Sequence, residues 1–273
     1  MRKAFLAVLL AGGLAYTTLD LAEADLRKGA TAYCYLNKDT LTWRIGNDAV
    51  ERKIQFDRDA GGLKTLHVKD KLHGRLGIVP GNEGEVVVSG GEEGVAKTLN
   101  LSRDWVYQWQ SVITPPHGGR MLTVHMWGKG ANKGYQIEVI YEVQPGNRPF
   151  LAKSVTLINR TGRPQILEQV LYDRWLLVGG DGKAQERMPQ FVKNPDGTAT
   201  LVDAAGRGGL LSGVPGGTGE TVLREGALVQ IDRPRSKAHG EGGRAYSAKA
   251  VIVPFSGTAE NGRALFRQYS DGL

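Results

Sequence analysis

Two sets of residues in this 273-residue chain carry chemistry by type and spacing. The first is aromatic. WVYQWQSVI (Trp105–Ile113) reads as a strand, and residues two apart on a strand share a face, which groups Trp105, Tyr107 and Trp109. Trp127 closes the next strand-like segment, RMLTVHMW. Such rings form either a core layer or a platform that stacks on the C–H faces of sugars. Gln108, Gln110 and His125 are the hydrogen-bonding neighbours a platform needs. The second set is acid–base. Among five histidines, His125 lies mid-strand, and Glu142 lies in the strand-like YQIEVIYEV. An imidazole and a carboxylate flanking a sugar ring exchange protons with it, the chemistry of a mutarotase-like epimerase. The expected site is therefore carbohydrate-binding, with Trp105, Tyr107, Trp109 and Trp127. His125 and Glu142 form the alternative, catalytic pair.

Other chemistries find little in the sequence. No two histidines stand at i,i+2 or i,i+4, and Cys34 is the single cysteine. No metal site is expected from such spacing. Asp57–Gly62 lacks the full calcium-loop pattern. The glycine-rich Gly213–Glu220 lacks the lysine of a phosphate loop. No cofactor is expected. The net charge of +7 is dispersed, without a Lys/Arg run, so it describes a solvated basic surface and not a nucleic-acid partner.

The elements that must position these residues follow period two. Strand-like segments run at 40–46, 49–56, 62–68, 105–113, 120–127, 135–143, 150–158, 165–175, 221–231 and 246–255, bounded by Gly, Pro, Asn or Asp. No amphipathic helix separates them, which selects antiparallel sheets over βαβ units. Gly179–Gly219 reads as long connections with short strands. Asn47-Asp48, Asn159–Gly162 and Asn194–Gly197 are turn sequences. Helical spacing returns only at Ala264, Leu265, Phe266 and Tyr269, within 261–273. Arg2 and Lys3 precede an apolar run, and Ala22-Glu23-Ala24 fits a cleavage site, so 1–24 reads as an export signal. That run is shorter than a spanning helix needs. The expected organisation is a signal peptide (1–24), a β domain (25–260) and a terminal or linker helix (261–273). Its expected location is secreted or periplasmic, with no membrane span.

TLTWRIGNDAVERKIQFD (Thr40–Asp57), YEVQPGNRPFLAKSVTLINRTGRPQILEQV (Tyr141–Val170) and GRALFRQYSDGL (Gly262–Leu273) resemble parts of the N-terminal β-supersandwich domain of family 36 glycoside hydrolases, the α-galactosidases. The wider galactose mutarotase-like superfamily shares that architecture. The resemblance implies an all-β supersandwich of two large antiparallel sheets with a short C-terminal helix. It implies a carbohydrate-associated role, with a galactoside-like glycan and a catalytic barrel or oligomer partner. In that family the two catalytic carboxylates belong to the barrel. No committed carboxylate pair is evident here, so a non-catalytic domain is expected. A ligand-free structural or assembly domain is the further alternative. Lys153, on the face of Leu151 and Val155 in that pattern, is expected to be scaffold, paired with Glu142 or Glu168.

Overall fold

The computed structural model describes residues 32–72, 76–78, 83–90, 96–177, 190–203, 206–215, 219–234 and 236–271. The expected export segment lies outside them. Among the described residues the chain forms nineteen strands, one α-helix and a single 3-10 turn at Gly130–Asn132. The first seven strands are β1 (Ala32–Asn37), β2 (Thr42–Asn47), β3 (Val50–Asp57), β4 (Gly62–Asp70), β5 (Leu76–Ile78), β6 (Glu85–Gly90) and β7 (Lys97–Asn100). The next five are β8 (Trp105–Ile113), β9 (Arg120–Gly128), β10 (Tyr135–Val143), β11 (Leu151–Asn159) and β12 (Gln165–Leu177). Then come β13 (Gln190–Lys193), β14 (Ala199–Val202), β15 (Gly208–Gly213), β16 (Gly219–Arg224) and β17 (Ala227–Asp232). β18 (Arg244–Tyr246), β19 (Ala250–Ser256) and α1 (Ala259–Ser270) complete the order.

The strands build two large antiparallel sheets, as expected, and a third, smaller one. The largest has nine strands, ordered β13-β14-β15-β19-β11-β10-β9-β8, with β18 also on β11. The second has six, ordered β16-β17-β12-β6-β7, with β5 also on β12. β1 to β4 form a separate four-stranded meander. One continuous core, from Trp43 and Ile54 through Val139 and Leu157 to Val170 and Leu228, joins all three.

Local chemistry explains the strand boundaries. The Asn47 side chain accepts hydrogen bonds from the Ala49 and Val50 backbone N–H groups, turning β2 into β3. Its amide also donates to the carbonyls of Gln144 and Arg148, pinning this turn to the end of β10. The expected single strand over 221–231 is instead a hairpin. Glu225 and Gly226 have φ of 48° and 76°, the left-handed pair that a two-residue hairpin turn requires. The span 246–255 likewise divides into β18 and β19. The terminal helix begins at Ala259, two residues before its expected start, with Thr258 and Asn261 forming a capping box. Phe266 and Tyr269 pack it against Phe150, Ala152, Val251 and Val253 on the nine-stranded sheet. Cys34 is buried in β1, which pushes its thiol up to about 12.

The three sheets meet at a buried knot of charge. Arg52 in β3 donates to both oxygens of the β12 residue Asp173, at 2.7 and 2.8 Å. It also reaches Glu83 Oε2 at 2.9 Å. Lys153 in β11 donates to the same two carboxylates, at 2.7 Å each. Tyr141 Oη in β10 donates to Glu83 at 2.8 Å. The Arg52 guanidinium lies 4.7 Å above the Tyr141 ring. Lys153 is therefore scaffold, as expected, but with different partners. Its side chain points between the sheets, whereas Glu142 points out of the nine-stranded sheet and Glu168 bonds Ser89. Gly84 (φ +104°) lets Glu83 enter the knot, because a Cβ there would stand 2.1 Å from the Leu171 carbonyl oxygen.

Two positive and two negative groups thus neutralise one another out of water. Removing one partner strands a buried charge, which typically costs about 3–5 kcal/mol. Lys153→Met is expected to lower unfolding free energy by about that amount in a urea titration; a loss below about 1 kcal/mol would show the knot to be dispensable. Acid acts on the same groups. Burial raises the Glu83 pKa, but Lys153 and Arg52 more than reverse this and hold it below the ordinary 4.5. A lowered folded pKa stabilises above the unfolded value and is lost as pH falls through the folded one. Stability should therefore decline with falling pH below about 4.5, and Glu83→Gln should flatten that slope in thermal melts across pH 2 to 7.

Candidate functional site

The structure divides the expected aromatic set. β8 is an edge strand of the nine-stranded sheet. Its pairing with β9 slips between Tyr107, opposite Met126, and Trp109, opposite His125. This is a β-bulge that inserts Gln108 and resets the alternation. Trp105, Tyr107 and Trp109 therefore do not share a face. Trp105 is fully buried, with its indole N–H donating to the Asn100 carbonyl at 2.7 Å. Tyr107 packs inward against Trp43 and Phe56, with ring centroids 6.0 and 5.8 Å away. Gln110 follows it inward and accepts a hydrogen bond from the Tyr107 hydroxyl. Trp105 and Tyr107 thus belong to the core. Trp109 and Trp127 emerge on the outer face, 53% and 54% exposed.

Cross-strand register lays out that outer face. One row runs Trp109, His125, Glu138, Thr156, Tyr246 across β8, β9, β10, β11 and β18. The neighbouring row runs Val106, Trp127, Gln136, Ile158, Arg244. Trp109, His125 and Glu138 of the first row and Trp127, Gln136, Ile158 and Arg244 of the second line a shallow depression of about 290 Å³, with Arg160 and Gly242 also on its rim.

Within it the indole of Trp109 lies flat on the His125 imidazole, centroids 3.5 Å apart and planes at 14°. One indole face is thus braced by His125. His125 Nδ1 stands 3.4 Å from Glu138 Oε1. Arg244 holds the other Glu138 oxygen at 3.0 Å. Arg160 Nε donates to the Gln136 side-chain carbonyl at 3.2 Å. Burial lowers the His125 pKa, with Glu138 opposing and Arg244 assisting the fall. The imidazole is therefore neutral at pH 7 and offers one donor and one acceptor.

His125 and Glu142 do not meet. Glu142 lies four residues along β10 from Glu138, roughly 14 Å at strand rise. It is 2.9 Å from His117 Nε2 and 2.7 Å from Lys249 Nζ. The carboxylate that does meet His125, Glu138, touches it directly, which leaves no gap for a sugar ring between acid and base. Glu138, Gln136, Arg160, Arg244 and Tyr246 were not singled out in the sequence. The first two follow from one fact, the register that the Gly128–Gly134 turn sets between β9 and β10. Arg244 and Tyr246 come from a three-residue strand that carries no periodic signal.

Comparisons with known proteins bear on the fold. No protein-family model matches the sequence, and no curated protein matches it. Solved structures do. The family 36 α-galactosidase AgaB of Geobacillus stearothermophilus aligns with 86% of this chain and 43% of its own, at 10% identity and a TM-score of 0.55. The α-galactosidase of Lactobacillus brevis aligns with 86% of this chain and 41% of its own, at 9% identity and a TM-score of 0.52. A variant of AgaA from Geobacillus stearothermophilus, in complex with raffinose, aligns with 82% of this chain and 42% of its own, at 10% identity and a TM-score of 0.53. The chain therefore has the fold of a region of family 36 α-galactosidases, and it spans less than half the length of those proteins.

The His125 environment is directly measurable. An NMR pH titration should place its pKa below 6.5. Glu138→Gln removes the opposing charge and should lower it further; an upward move would contradict the assigned contact.

Proposed function

We propose that this chain is a carbohydrate-binding domain without catalysis of its own, and that the outer face around Trp109 and Trp127 is its binding surface. One observation carries the reading. Two half-exposed indoles stand beside a depression whose floor and rim supply hydrogen-bonding groups, Gln136, Glu138, Arg160 and Arg244. Large exposed aromatics next to convergent polar groups are the usual composition of a ligand site. An indole braced on one face by His125 pays little ordering entropy when a sugar stacks on the other.

The fold shared with α-galactosidases favours a galactoside-like glycan as the first ligand to test. It also favours a role in support of a catalytic barrel. The basic start, apolar run and Ala22-Glu23-Ala24 support an exported protein that meets glycans in the periplasm or outside the cell. Among the described residues no helix is long and apolar enough to cross a membrane.

Titration calorimetry of the whole chain with galactose, raffinose and other sugars tests the reading. Trp109→Ala and Trp127→Ala are each expected to weaken binding at least tenfold, with melting temperatures close to the parent, because both side chains are half exposed. Equal affinity in both variants removes the platform. Anomer exchange followed by NMR should proceed at the buffer rate; acceleration that His125→Ala abolishes would assign an epimerase instead.

A further inference from the structure

The outer face extends beyond the depression. The row that starts at Trp109 continues across three buried or half-buried polar positions and ends at Tyr246. Tyr246 is 63% exposed. Between the two exposed rings, Glu138 and Thr156 are buried. The face therefore carries an exposed aromatic ring at each end, with the depression beside Trp109 reaching as far as Arg244, two residues from Tyr246 on β18. Four strand spacings separate those ends, roughly 19 Å, several times the width of one sugar ring.

The charges along this face are matched. Arg244 is paired with Glu138 at 3.0 Å, and Arg160 lies 3.9 Å from Glu241. The Glu241 carboxylate is itself held by the Gly162 N–H at 2.7 Å. Burial keeps His125 neutral. An anionic ligand would have to displace these carboxylates. A neutral one meets donors and acceptors already fixed in place.

Resting on the binding face assigned above, we propose that its ligand is an extended, uncharged oligosaccharide, laid across the strands from Trp109 to Tyr246. Trp109 and Trp127 stack one end of the glycan. The accessible polar side chains between them, Gln136, Arg160 and Arg244, meet the middle hydroxyls. Tyr246 stacks the far end.

The test is calorimetry on the intact chain with galacto-, manno- and cello-oligosaccharides of one to six units, and with oligogalacturonates as the charged counterpart. In the neutral series that binds, Kd should tighten at least tenfold from the single sugar to the longest member. Tyr246→Ala should erase that gain and leave the single-sugar Kd unchanged, while Tyr246→Phe should keep it. Raising salt from 50 to 500 mM should leave Kd within twofold. A single sugar that binds as tightly as the longest chain overturns this inference but leaves the binding face standing, as does a gain unaffected by Tyr246→Ala. Tighter, salt-sensitive binding of oligogalacturonates overturns the neutral assignment. No heat with any sugar overturns both this and the binding face.

Discussion

Everything in this fold depends on four charges buried where three sheets converge. Arg52 comes from the four-stranded meander, Lys153 from the nine-stranded sheet and Asp173 from the six-stranded one; Glu83 enters just ahead of β6. Hydrophobic packing alone is tolerant, and sheets can slide over an apolar core at modest cost. A buried carboxylate cannot slide, because a shift of one residue would turn its cations to the opposite face. The knot therefore fixes relative position where the core supplies cohesion. Thr65 and Tyr141 complete it, each giving a hydroxyl to Glu83. Such an arrangement adds little to stability beyond what apolar residues of equal volume would give. Its contribution is that only one registration of the three sheets satisfies it.

Legibility from the sequence followed the range of the interactions. β8 to β11 were readable to within a residue or two, since alternation and bounding turns are local. β13 to β15 merge with loose connections in the sequence, because each is four to six residues long and β15 is half glycine. Lys153 stood out as a cation in an apolar pattern, yet its partners lie 70 and 20 residues away. No local rule connects Lys153 to Glu83. The division of the aromatic residues between two faces is illegible for a different reason. Strict alternation grouped Trp105 with Trp109, and a single unpaired residue, Gln108, separates them. Bulges leave almost no trace in composition, so residue types are legible in this strand and the faces they take are not.

The nine-stranded sheet treats its two faces differently. Its inner face is sealed by the common core. Its outer face is covered at β14, β15 and β19 by the apolar side of α1, and on β8 and β9 it presents the exposed side chains Val106, Trp109 and Trp127. The strands next to these, β10 and β11, are held from behind. Tyr141 and Lys153 point inward from β10 and β11 into the knot, while Glu138 and Thr156 point outward from the same strands. The outward polar side chains of β10 and β11 thus stand on backbone anchored from behind, an arrangement that holds them in place.

The bulge in β8 makes the pairing state of one residue a chemical variable. With Gln108 set outside the ladder, one strand supplies both an interior filled by Trp105 and Tyr107 and an outward indole. Drawn into regular pairing, Gln108 would turn Trp109 inward, towards space those two rings already occupy, and Gln110 would take its place outside. The nine-residue strand is in this way two half-strands with opposite addresses. A change that flattened the bulge would exchange an outward indole for an inward one while leaving every aromatic residue in the sequence unchanged.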